Sequence, residues 1–127
     1  MDDESLGKGF SDFIGVEHRE GDDGSVMLGL TAVEHHLNPA GTVHGGVIAT
    51  LIDVAMGRAA ESQMEDEQVP ATIELKTNYL EPGRPGRIVA TAHVRKRGRN
   101  VIVVEAEVHQ DETDEVIALA IGTYAPV

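Results

Sequence analysis

The chain contains no cysteine, which removes disulfides, thiolate metal sites and a cysteine nucleophile from the chemistry open to it. It also lacks any apolar run long enough for a secretory leader or a membrane span, and its N-terminus is acidic. The expectation is a cytoplasmic protein with no membrane partner. Lysine is scarce, with three in the chain, and 22 acidic against 10 basic residues leave a net charge of −12 on 127 residues. Such a charge disfavours nucleic acid as a partner. Together with few aromatics it fits a protein kept hydrated in concentrated salt, where self-repulsion is screened, so a halophilic protein is expected. The length suits one compact domain over residues 1–127 and is too short for two, with roughly the first eleven residues as a mobile lead-in.

Residues 14–20 and 25–30 read as short strands around Gly21-Asp22-Asp23-Gly24, a hairpin signal. A loop over 31–44 carries Asn38-Pro39, and the pattern predicts a helix over 45–63 that the acidic Glu65-Asp66-Glu67 ends. Beyond it, Ala71, Ile73, Leu75, Thr77 and Tyr79 alternate with Thr72, Glu74, Lys76 and Asn78, which predicts a long half-buried strand closed by Glu81-Pro82-Gly83. Further strands are expected at 87–96, 100–110 and 115–124, with turns at Arg97-Gly98-Arg99 and 110–114. Short connections favour an antiparallel meander. One long apolar helix with several antiparallel strands gives an α+β domain in which the sheet wraps the helix.

The segment Asn38-Pro39-Ala40-Gly41-Thr42-Val43-His44-Gly45-Gly46 runs directly into that helix. A glycine pair opening a helix admits close approach to the backbone and leaves the first amides free to bind developing negative charge, an oxyanion hole in prospect. From Gly46 to Ala60 the only polar side chains are Thr50, Asp53 and Arg58, so the helix should be largely enclosed. A carboxylate at position 53 then needs hydrogen bonds or a small polar pocket, a setting that tends to turn an acid into a useful base.

Asn38, then His44-Gly45-Gly46 six residues on, then Asp53 nine residues after the histidine resembles the acyl-CoA thioesterases of the phenylacetate-pathway (PaaI-like) type. The pieces Thr72 to Pro82 and Arg97-Gly98-Arg99 extend the resemblance over nearly the whole chain. It implies the hotdog fold and hydrolysis of an aryl- or fatty-acyl-CoA to free acid and CoA. The Gly45 amide, with His44 or Asn38, would polarise the carbonyl, and Asp53 would act as general base or nucleophile. Thr72 lies where similar enzymes place a residue that orients the water or the acid. No cofactor is implied, since CoA belongs to the substrate. A dehydratase acting on hydroxyacyl thioesters, or a non-catalytic acyl-CoA binding protein, is the alternative.

Gly45 and Asp53 are eight helical positions apart, so about 12 Å separates them along the axis. They cannot grip one carbonyl from the same chain, and a site that uses both requires at least a homodimer. The resemblance implies the same sharing, with the strand at 71–80 pairing across the dimer, and a homotetramer. Six of the ten basic residues, Arg84, Arg87, Arg95, Lys96, Arg97 and Arg99, fall between positions 84 and 99. They form a candidate CoA patch, with Gly46, Arg84, Arg97, Gly98 and Arg99 as expected substrate contacts, because arginine suits phosphate. Pairing of some of these arginines with Glu105, Glu107 or other acids across neighbouring strands is the structural alternative. Adjacent His35 and His36 point apart in an extended chain and lack an obvious carboxylate, so no metal is expected. Val54, Met56, Gly57 and Tyr79 are candidates to shape the acyl pocket; Gly57, one turn beyond Asp53, suggests either acyl space or close helix packing.

Overall fold

A computed structural model describes residues 9–19, 21 and 24–127. In chain order the elements are α1 (Phe10–Ile14), β1 (Glu17–Arg19), β2 (Val26–Ala32), a 3-10 turn (Glu34–His36), α2 (Gly45–Glu61), β3 (Pro70–Tyr79), β4 (Gly86–Arg97), β5 (Ile102–Gln110) and β6 (Val116–Pro126). Six antiparallel strands form one sheet in the order β1-β2-β4-β5-β6-β3. This is the hotdog arrangement, an α+β sheet around one long helix. Among the described residues no helix is long and apolar enough to cross a membrane.

The helix is apolar around most of its circumference because the sheet covers it. Ile48, Leu51, Ile52, Ala55, Met56, Ala59 and Ala60 are buried against Leu28, Leu30, Ile88, Ala90, Val104, Val108 and Ile117. Each large side chain among them contributes about 1.5–3 kcal/mol by leaving water. The helix ends at Glu61, where Ser62 Oγ donates to Ala59 O at 2.6 Å, before the acidic triplet that the sequence pattern makes its stop.

Three sequence expectations change. The expected lead-in of about eleven residues runs into α1, whose Ile14, expected to open the first strand, is buried in the core; residues 1–8 lie outside the described residues. The first strand starts at Glu17 rather than 14, and its hairpin pairing with β2 is present, although Glu20 and Asp22 and Asp23 of the turn are outside the described residues. The meander holds for β4, β5 and β6 alone. β3 pairs with β6 at the far edge of the sheet, so the chain must cross about 14 Å, three interstrand spacings, to reach β4. Residues 80–85 make that crossing over the N-terminal end of α2, where Val43 N–H donates to Gly83 O at 2.8 Å.

The crossing positions the site, and so does a bulge in β3. The register slips between Thr72 and Glu74, leaving Ile73 extra and 56% exposed. In a regular strand Thr72 and Tyr79, seven residues apart, would point to opposite faces. With the bulge both reach α2: Thr72 bonds Asp53 and Tyr79 bonds Gly45. The even alternation expected from Ala71 to Tyr79 is therefore broken, and Leu75, Thr77 and Tyr79 share the helix-facing side with Thr72 rather than with Ile73.

Candidate active site

The N-terminus of α2 is built from the preceding loop. Asn38 organises that loop: its Oδ1 accepts from Ala40 N–H at 2.9 Å and Thr42 N–H at 3.2 Å, and its Nδ2 donates to Thr42 Oγ1 at 2.8 Å. The side chain predicted to assist the carbonyl is thus engaged in holding the turn, as asparagine before proline often is. His44 is the N-cap of α2, with Nδ1 accepting from Gly46 N–H at 2.8 Å and its backbone N–H bonded to His36 O at 2.9 Å. With Nδ1 accepting, Nε2 is the ring nitrogen left to donate, and the residue is exposed. A Cβ at Gly46 would lie 3.0 Å from His44 Nδ1, so any side chain there would displace the cap.

The four amides at a helix start have no partners within the helix. Here Gly46 is satisfied by His44 Nδ1, and Val47 and Ile48 by His44 O at 2.9 and 3.3 Å. Gly45 N–H alone remains, with no acceptor among the described residues. Tyr79 closes the other side of this residue: its hydroxyl donates to Gly45 O at 2.8 Å, and a Cβ at Gly45 would meet its ring at 3.5 Å. Beside Gly45 opens a cleft of about 350 Å³ lined by Thr42, Val43, Ile48 and the crossing segment Tyr79 to Gly83. Asp53 is not among its lining residues.

Asp53 lies on the same helix, half-buried, two turns on. Thr72 Oγ1 donates to its Oδ1 at 2.9 Å and the Tyr124 hydroxyl donates to the same oxygen at 2.7 Å. Tyr124, on β6 and 1% exposed, lies outside the sequence-predicted site. Its phenol is pushed far above the ordinary tyrosine range, first by burial and then by the hydrogen bond and charge of Asp53, with Thr72 acting in the opposite direction. The signal for it in the sequence is a tyrosine beside Gly122 on a strand of small residues, whose hydroxyl must find a partner once the ring is enclosed.

The basic cluster divides. Arg87 pairs with Glu17 at 2.9 Å and Arg95 with Glu105 at 3.5 Å, the structural alternative for these two. Arg84 sits at the start of β4 and Arg97, Gly98 and Arg99 at its far end. At about 3.3 Å per residue the two groups are roughly 40 Å apart, so one chain holds two basic sites rather than one patch. Arg97 is turned back on Gly98 O, whereas Arg84, Lys96 and Arg99 are exposed with no ion pair among the described residues. Gly57 packs against Tyr124 and Pro70, with a built Cβ 3.7 and 3.8 Å from them; it serves helix–sheet contact. His36 is buried with both ring nitrogens engaged, by Val33 N–H at 2.9 Å and Ile14 O at 2.7 Å, and ties α1 to the loop.

Residues 40–117 match the sequence profile of the thioesterase superfamily. The chain belongs to this family. A medium/long-chain acyl-CoA thioesterase of Escherichia coli is 38% identical over 95 residues, a match that covers 65% of this chain and 61% of the relative. The chain thus spans under two thirds of that protein. Among solved structures, a conserved protein of Pseudomonas aeruginosa superposes with a TM-score of 0.89 at 33% identity over 98% of each chain. A Bacillus halodurans protein solved with CoA gives 0.76 at 35% identity, over 79% of this chain and 70% of that one. The Escherichia coli PaaI protein of the phenylacetic acid degradation operon gives 0.83 at 25% identity, over 92% and 83%. The PaaI-like resemblance and the thioesterase class are thereby shown for this chain.

Proposed function

We propose that this thioesterase hydrolyses acyl-CoA at a site shared between two copies of the chain. The observation that carries the reading is the pair of prepared groups on α2: a Gly45 N–H without an acceptor among the described residues and an Asp53 carboxylate fixed by two hydroxyls. They lie about 12 Å apart along one helix. Gly45 N–H, at the positive end of the α2 dipole and beside the cleft, stabilises the oxyanion as the thioester carbonyl becomes tetrahedral. The exposed His44 ring, adjacent to Gly45 in sequence, is a second candidate donor. Asp53 of a second copy supplies the carboxylate, either taking a proton from attacking water or attacking the carbonyl carbon itself.

The free edge of the sheet supports the sharing. Among the described residues β3 has a neighbour on one side only, and Ile73 and Tyr79 along it and Leu80 just beyond it are 56%, 51% and 50% exposed. An unpaired edge carrying large apolar side chains is a template for another strand. Pairing of two β3 edges about a two-fold axis would form a homodimer, and a dimer of dimers extends the same assembly to a homotetramer.

CoA is the proposed carrier because Arg84 at one end of β4, and Lys96 and Arg99 at the other, are exposed cations with no ion pair among the described residues on a chain of net charge −12. The CoA-bound relative supports the same choice. Thiol release from a panel of aryl- and fatty-acyl-CoAs in high KCl, with Asp53→Asn as the matched control, tests the reading. Release by the parent and loss in the variant support it; equal release by both refutes it. Hydration of an enoyl-CoA without thiol release would move the protein to the dehydratase class.

A further inference from the structure

We propose that Tyr124 is a positioning residue that, together with the Thr72 hydroxyl already expected to orient the acid, selects which oxygen of Asp53 reacts. The inference rests on the preceding reading of Asp53 and adds a specific geometry to it. Thr72 and Tyr124 face each other across the β3–β6 ladder, and both hydroxyls converge on Oδ1, at 2.9 and 2.7 Å. The Tyr124 hydroxyl also lies 3.3 Å from the Asp53 carbonyl oxygen, which ties the side chain to its own helix turn. Oδ2 has no hydrogen-bond partner among the described residues. A carboxylate held by one oxygen from two adjacent strands cannot rotate freely, so it presents Oδ2 in one orientation.

The β3 bulge is part of the device. Without the extra residue at Ile73, Thr72 would point away from α2 when Tyr79 points toward it, and only one of the two donors would remain. Tyr124 contributes a rigid ring fixed in the core, so its hydroxyl is placed with little loss of freedom on reaction.

In the general-base route Oδ2 takes a proton as the water oxygen bonds the carbonyl carbon, and the carbonyl electron pair moves to the oxygen at Gly45 N–H. Collapse then breaks the C–S bond and returns that proton to the leaving thiolate. In the nucleophilic route Oδ2 itself bonds the carbon, the thiolate leaves and takes a proton from solvent, and water opens the anhydride to acid and carboxylate, returning a proton to solvent. Both routes use the oxygen that the two hydroxyls leave free.

The test compares kcat, KM and thermal unfolding for the parent, Tyr124→Phe, Thr72→Val, Thr72→Ser and Asp53→Asn on the most reactive acyl-CoA of the panel. Tyr124→Phe and Thr72→Val should each lower kcat about tenfold with KM held within about twofold, and Thr72→Ser should recover most of the loss seen in Thr72→Val. Thr72 is exposed, so its variants remain informative if Tyr124→Phe fails to fold. Parental kcat in a folded Tyr124→Phe, or in Thr72→Val if Tyr124→Phe does not fold, beside an inactive Asp53→Asn, would overturn the positioning role and leave the thioesterase reading standing. Parental activity in Asp53→Asn would remove both.

Discussion

Replacing Gly45 by proline deletes one hydrogen-bond donor and almost nothing else. Gly45 is the first residue of α2, a position where proline is favoured because the missing N–H would have no partner in the helix. His44, which precedes it, has φ −58° and ψ 134°, the extended conformation that a residue before proline adopts. The Tyr79 ring is 3.5 Å from a built Cβ, an ordinary contact. Because the Gly45 N–H bonds no acceptor among the described residues, folding loses no hydrogen bond. The restricted unfolded chain should add about 0.4–1 kcal/mol of stability. Loss of a single oxyanion donor, in contrast, costs about 10²–10³ in kcat, or about 2.7–4 kcal/mol of transition-state stabilisation. Steady-state thiol release and thermal unfolding on the same preparations separate the two effects. A Gly45→Pro protein as stable as the parent and equally fast would show that the oxyanion forms elsewhere.

Three other outcomes follow from particular contacts. Tyr124 ionises in the unfolded chain near pH 10 but is held neutral well above that in the fold. Its contribution to stability is therefore complete below about pH 10 and falls as pH rises beyond it, so the parent should lose stability there more steeply than Tyr124→Phe; parallel pH profiles would contradict the assignment. Thr77 Oγ1 is buried without a hydrogen-bond partner, so Thr77→Val should stabilise by about 1 kcal/mol in chemical denaturation, and a loss would mean that the hydroxyl is satisfied by bound water. The net charge of −12 predicts an unfolding temperature that climbs from low to molar KCl; equal values at both would remove the expectation of halophily.

What was legible in the sequence follows from how each feature is encoded. The helix start, the two glycines and Asp53 could be read because a polar residue on an apolar helix demands a reason, and the structure supplies it in Thr72 and Tyr124. His44, expected to help polarise the carbonyl, also caps the helix through Nδ1, a role that its place directly before the glycine pair allows. The β3 bulge was not legible, since Ala71, Ile73, Leu75, Thr77 and Tyr79 alternate without interruption and only the pairing with β6 shows that Ile73 is extra. Nor was α1, whose five residues are too few to display a helical period. The basic cluster misled because nearness in sequence is not nearness in space along an extended strand: Arg84 and Arg99 flank β4 at opposite ends. Tyr124 was missed because an aromatic on an alternating strand reads as core, which it is, while its hydroxyl performs the polar task.

The shared site is tested most directly by subunit complementation. Asp53→Asn keeps the Gly45 donor and loses the carboxylate; Gly45→Pro keeps the carboxylate and loses the donor. In a randomly assembled one-to-one mixture about a quarter of sites should combine an intact Gly45 from one chain with an intact Asp53 from another, whether the assembly is a dimer or a tetramer. The account predicts that thiol release, weak or absent in either variant alone, returns to about a quarter of the parental rate in co-assembled protein. A mixture no more active than its components, with subunit exchange verified by differential tags, would contradict it.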